Sequence, residues 1–61
     1  MKSSEVIRIL QRNGWRLIRI KGSHHHFKKE GIPFLITISH PKKDVSIGQL
    51  EDIQKKAGIK F

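Results

Sequence analysis

The side chains best suited to chemistry in this sequence are four imidazoles. Three are consecutive, at His24, His25 and His26, and the fourth is His40. Imidazole exchanges protons near neutrality, so one ring can take a proton and return it at ordinary pH. Alternation along an extended strand sets His24 and His26 on one face and His25 on the other, beside Phe27. RNA is a substrate for which one such ring goes far, because it carries a 2′-hydroxyl beside each phosphodiester and DNA does not. A positioned imidazole removes that proton as the oxygen attacks phosphorus. A second donor protonates the departing 5′ oxygen, and lysines stabilise charge on the phosphoryl oxygens. This route needs no metal and no other cofactor. Lys21, Lys28 and Lys29 flank the histidines as phosphate partners, and Ser23 offers a hydroxyl to hold a phosphate or orient the ring. The proton donor stays open among Lys28, His26, His40 and a water.

Other chemistries fit less well. His24, His26 and His40 supply three nitrogens of the kind zinc takes, but their spacing is not a zinc pattern and no Cys or nearby acid completes the set. The five glycines are scattered at turns, so there is no glycine-rich phosphate loop. No Ser-His-Asp set is persuasive, since Asp44 is the only Asp in the first three-quarters of the chain. Histidines are also tolerated on half-exposed strands without any chemistry. Trp15 suits a core better than a base-stacking platform, while Phe27 suits either.

The elements that must position these groups are short. Ser3 to Asn13 reads as a helix, with Ser3 or Ser4 as cap, Glu5 in the first turn and Gly14 at the C-terminal end. Val6, Ile9 and Leu10 give its apolar stripe. Trp15 to Lys21 reads as a strand partly covered on both faces, with Trp15 and Leu17 pointing one way and Ile18 and Ile20 the other. Arg19 and Lys21 emerge towards its open end. Gly22-Ser23 is a turn, His24 to Lys29 a second strand, and Phe34 to Ser39 a third after Glu30-Gly31 and Pro33. Phe34, Ile36 and Ile38 mark the core face of the third strand. Pro41 stops the chain in a loop, and Ser46-x-x-Gln49 opens the last helix as a capping box flanked by Val45 and Leu50. Ile47, Leu50, Ile53 and Ala57 form its buried stripe, and Gly58 ends it.

The order predicts an α+β fold, α-β-β-β-α, in which a three-stranded antiparallel sheet carries both helices on one face and leaves the other open. Sixty-one residues make one domain, 1–61, with a thin stability margin. Thirteen Lys and Arg against five Asp and Glu give a net charge of +8, which favours phosphate backbones or an acidic protein partner. There is no Cys to form a disulfide or a thiolate site. No apolar run is long enough for a signal peptide or a membrane span, so a soluble cytoplasmic protein is the expectation.

Gly14-Trp15, then Lys21-Gly22-Ser23-His24-His25, His40-Pro41 and Lys56-Ala57-Gly58-Ile59 resemble, in this order and at this length, the HicA family of bacterial toxins. The resemblance covers nearly the whole chain. It implies a fold like a double-stranded RNA-binding domain and a metal-independent endoribonuclease that cleaves mRNA and arrests growth. It also implies a HicB-type antitoxin partner that covers the active face and commonly binds DNA at the operon's promoter. On that resemblance the catalytic residue is His24, presented by Gly22 and Ser23, while His40 matches a position often occupied by His. His26 departs from the usual pattern, and the segment Ile47-Gly48-Gln49 carries no mark of substrate preference. A dimer or a toxin–antitoxin hetero-oligomer suits so small a domain, since pairing buries additional apolar surface. The competing readings are a non-catalytic RNA-binding module of the same fold and a basic interaction protein for an acidic partner.

Overall fold

In the computed structural model, which describes residues 1–61, the elements run α1 (Ser3–Arg12), β1 (Arg16–Lys21), β2 (His24–Lys28), β3 (Ile36–Ser39) and α2 (Ile47–Ala57). The fold is the expected α-β-β-β-α. The strands form one antiparallel sheet in the order β1-β2-β3. No helix is long and apolar enough to cross a membrane.

α1 forms where Val6 and Leu10, one turn apart, reach the core, and both are fully buried. Ser3 does not cap this helix as expected. It lies within the first turn and is buried, because its hydroxyl is used in a tertiary contact. Ser3 Oγ accepts from the Lys42 backbone N–H at 2.8 Å and lies 2.7 Å from His40 Nδ1. The Ser3 N–H donates to the Lys42 carbonyl at 2.9 Å, and Val45 N–H donates to the Met1 carbonyl at 2.8 Å. The segment after β3 is thereby strapped to the start of α1.

β1 departs from expectation more clearly. All six of its residues are exposed, including Leu17, Ile18 and Ile20 at 41%, 49% and 55%. It is an edge strand, and the helices pack over β3 at the opposite side of the sheet. Its register also shifts between Leu17 and Arg19, so Ile18 is an extra residue without a partner. That bulge resets the alternation. Leu17, opposite Phe27, and Ile20, opposite His25, therefore share one face, where simple alternation places them apart.

β3 begins at Ile36, not Phe34. β2 ends at Lys28, and its last pairing with β3 is Phe27 with Ile36, so Phe34 and Leu35 lie beyond the last partner row. Phe34 remains 41% exposed with its ring 6.4 Å from that of Trp15. Trp15 itself is buried, although its Nε1 has no hydrogen-bond partner.

α2 starts as its sequence indicates. Gln49 N–H donates to Ser46 Oγ at 3.2 Å and Ser46 N–H donates to Gln49 Oε1 at 3.3 Å, which closes the capping box. Gly58 ends the helix in the left-handed region at φ +67°, its N–H donating to the Gln54 carbonyl. Ile53 is buried and Leu50 and Ala57 partly so, but Ile47 is 76% exposed and does not join the stripe. At 100° per residue Ile47 stands about 120° round the helix from Ile53, which turns it to solvent.

The core consists of Val6, Leu10, Trp15, Phe27, Ile36, Ile38, Val45 and Ile53. Truncating Phe27, which is fully buried, to Ala is expected to lower stability by about 3–5 kcal/mol. Ile47→Ala should change it by less than about 0.5 kcal/mol. Urea unfolding followed by Trp15 fluorescence measures both. Ser3→Ala removes the acceptor of the Lys42 N–H and is expected to cost about 1–3 kcal/mol by the same assay.

Candidate active site

Phe27 sorts the side chains of β2. It is buried under the helices, so His25 shares the helix-covered side and His24 and His26 point to the open face. Cross-strand pairing extends the assignment to the neighbours. Lys21 and Ser39 lie opposite His24, Arg19 and Thr37 opposite His26, and Arg16 opposite Lys28. The open face thus presents three rows: Lys21-His24-Ser39, Arg19-His26-Thr37 and Arg16-Lys28. Residues directly opposite have Cβ atoms about 5 Å apart, so Lys21 and Ser39 are immediate neighbours of His24.

The turn that ends β1 positions the first row. Lys21 and His24 are paired, which leaves a loop of Gly22 and Ser23 alone. Gly22 has φ +59°, and no residue other than glycine has positive φ in this chain. Positive φ at the first loop residue only is the pattern of a type II′ hairpin turn, and it calls for glycine there. A Cβ on Gly22 meets nothing within 4 Å, so the requirement comes from the backbone and not from crowding. The Ser23 carbonyl is held at 2.8 Å by the His40 N–H, which extends the tie between β2 and β3 just past His24.

The four imidazoles have different surroundings. His25 Nδ1 lies 3.3 Å from the Ser23 carbonyl oxygen. His26 Nδ1 lies 2.9 Å from Thr37 Oγ1. His40 is engaged with Ser3, and its ring stands edge-on to that of His25 with centroids 5.0 Å apart. Only His24 is exposed with no hydrogen bond to either ring nitrogen. Both of its ring nitrogens are therefore free for a ligand.

Of the residues singled out from sequence, Lys21, His24, His26 and Lys28 come together on the open face, with Gly22 and Ser23 forming the turn beneath the first row. Lys28 lies four residues along β2 from His24, about 13 Å at strand rise, too far to serve the same phosphodiester as a proton donor. His26, two residues away, is about 7 Å off on the same face. Lys29 leaves the face: it follows β2 and is half-buried, its stem approaching Gly14. His40 sits on the helix-covered side, with Ser3 and His25, and does not join His24 and His26. No group of three or more His, Asp or Glu is arranged to hold a metal ion. Arg16, Thr37 and Ser39 were not singled out from sequence. Arg16 and the two hydroxyls reach this face only through pairing register, for which the local sequence carries no signal.

Comparison with known proteins places this chain in a family. The model of a family described as the HicA toxin of bacterial toxin-antitoxin systems matches residues 3–59, which take in both helices and all three strands. A solved structure described as a HicA3 and HicB3 toxin-antitoxin complex contains a chain 40% identical to this one. That match has a TM-score of 0.87 and covers 100% of this chain and 98% of the other. No match was found among curated proteins. The chain belongs to the HicA toxin family of bacterial toxin–antitoxin systems.

Proposed function

We propose that this protein is the toxin of a type II toxin–antitoxin pair and acts as a metal-independent endoribonuclease on mRNA, with His24 as general base. The observation that carries the reading is the freedom of His24. It is exposed, has no internal hydrogen bond, and stands in one row between Lys21 and Ser39 on a face that also carries Arg16, Arg19 and Lys28.

RNA crossing the open face brings a 2′-hydroxyl to the His24 ring. The ring removes the proton as the 2′ oxygen attacks the adjacent phosphorus, and the 5′ oxygen departs with a proton from a second donor. Lys21 bears on the phosphoryl oxygens of that phosphodiester, and Ser39 and Ser23 offer hydroxyls beside it. Arg19, Arg16 and Lys28 hold neighbouring phosphates along the face. Among the other imidazoles, His26 is the one that shares this face, about 7 Å along the strand. The His40 ring acts from the other side of the sheet, through its contacts with Ser3 and His25.

A HicB-like antitoxin is the proposed protein partner. Support comes from the HicA3 and HicB3 complex, whose HicA chain this one matches over its full length. A protein that covers the three cationic rows would silence the nuclease by excluding RNA.

In EDTA the wild-type protein is expected to cut RNA and leave the 2′-deoxy strand of the same sequence intact. His24→Ala should fold normally by circular dichroism and lose at least about 100-fold in cleavage rate, the usual contribution of a positioned base. A mutant that cuts as well as wild type removes His24 from the mechanism. If neither protein cuts but both bind RNA, the chain is a binding module. RNA affinity should also fall steeply between low and moderate salt, since the contacts are mostly to phosphates. A flat salt response measured by fluorescence anisotropy contradicts backbone recognition.

A further inference from the structure

Beyond the histidine face, the free edge of β3 and the inner side of α2 enclose a cleft of about 150 Å³. Three consecutive residues of β3 line it, Thr37, Ile38 and Ser39, so it follows the edge of the sheet and not one face. Its apolar lining comes from Ile38, Val45 and Ile53, all buried. Besides Thr37 and Ser39, its polar lining comes from Lys42, Gln49 and Asp52, all three exposed. No turn, loop or cap hydrogen bond ends on the backbone of Ile36–Ser39. The amides and carbonyls that this edge turns away from β2 therefore have no partner within the chain.

The cleft adjoins the candidate active site. Ser39 lines it and is also the cross-strand partner of His24. Its mouth is thus one strand spacing, about 5 Å, from the row that contains the catalytic ring. A small cleft with an apolar floor and convergent polar groups at its rim suits one planar base, the arrangement by which proteins hold an unstacked nucleobase.

The polar groups favour one base. Gln49 Oε1 already faces Lys42 Nζ at 3.3 Å, the Ser46 N–H at 3.3 Å and Ser46 Oγ at 3.2 Å. Its Nε2 is left to donate. Asp52 offers acceptors only, with Oδ2 at 3.1 Å from Lys56 Nζ and Oδ1 unengaged. A carboxylate works against phosphate binding on a chain of net charge +8, so its place here suits a base edge that donates. Guanine presents two adjacent donors, N1–H and the N2 amino group, beside the acceptor O6.

We infer that the β3–α2 cleft is a guanine-binding subsite for the nucleotide next to the phosphodiester at His24. Asp52 accepts from N1–H and N2–H, and Gln49 Nε2 and Lys42 donate to O6. The inference rests on the nuclease reading for its place in a reaction, but the binding itself does not require cleavage. Asp52 is a specificity-determining residue in this account and takes no part in proton transfer.

The test uses the full chain carrying His24→Ala, titrated with the 3′-monophosphates of guanosine, adenosine, cytidine and uridine and followed by amide NMR shifts. Guanosine monophosphate is expected to bind best and to move resonances of Thr37–Ser39 and Gln49–Ile53. Adding Asp52→Asn should reduce the guanine preference by about tenfold, the discrimination carried by one good bidentate pair. Lys56→Ala, which removes only the ion pair of Asp52, should retain it. In the protein with His24 intact, Asp52→Asn should depress cutting at guanine-flanked sites relative to others. Equal binding of all four nucleotides, no shifts at the cleft, or a uniform gain in binding with Asp52→Asn overturns the assignment. Guanine binding in a protein whose His24 form cuts no RNA supports the subsite while defeating the nuclease reading.

Discussion

Phe27 is fully buried at the centre of the sheet, and most of the functional surface follows from that placement. A strand alternates its side chains, so a large aromatic ring committed to the helix-covered side commits His25 to the same side. His24 and His26 are then turned outward, His24 with no hydrogen bond to its ring and His26 beside Thr37 Oγ1. Antiparallel pairing carries the choice across the sheet. Through the partners of β2 it sends Lys21, Arg19 and Arg16 to the face of His24, and with them Thr37 and Ser39. Burial of a single apolar residue thus assembles a cationic, histidine-bearing surface whose cations repel one another, with the His26–Thr37 contact as its one internal side-chain hydrogen bond.

Two local devices adapt that scheme. The bulge at Ile18 places Leu17 and Ile20 on one face despite their odd separation, which keeps the cationic residues of β1 in step with β2. The Gly22-Ser23 turn then sets Lys21 directly across from His24. With a two-residue loop there is little slack between the cation and the imidazole, so the candidate catalytic row is as rigid as the hairpin. The exposure of Leu17, Ile18 and Ile20 follows from size: two helices of 10 and 11 residues cover β2 and β3 and leave β1 uncovered.

The β3 side of the sheet is stabilised differently. Ser3, His40 and the backbone of Lys42 form a small polar knot that ties the segment after β3 to the start of α1. Buried polar groups are tolerated when each finds a partner, and here they find one another. The knot uses His40 for structure and fixes the stretch that leads into α2. It therefore also shapes the cleft between α2 and β3, whose lining includes Lys42 and Val45.

Much of this was determined by the sequence alone. Element order, the capping box at Ser46 and Gln49, the glycine turn at Gly22 and the separation of His25 from His24 and His26 are all local. They depend on hydrogen bonds within a few residues or on strand periodicity, and the family resemblance is carried by Gly14-Trp15, Lys21 to His25, His40-Pro41 and Lys56 to Ile59 in order. What the sequence left open was non-local. Ser3 reads as a helix cap until His40 and Lys42, far along the chain, take its hydroxyl. His40 reads as a neighbour of His24 until the knot draws it to the other side of the sheet. Phe34 and Ile47 read as core residues, yet strand pairing ends before one and helix rotation turns out the other. The β3–α2 cleft has no local signature, because each of its residues has an ordinary local role and only packing brings them together. Burial and cross-strand register are decided by the whole chain at once, and that is why only the tertiary structure decided them.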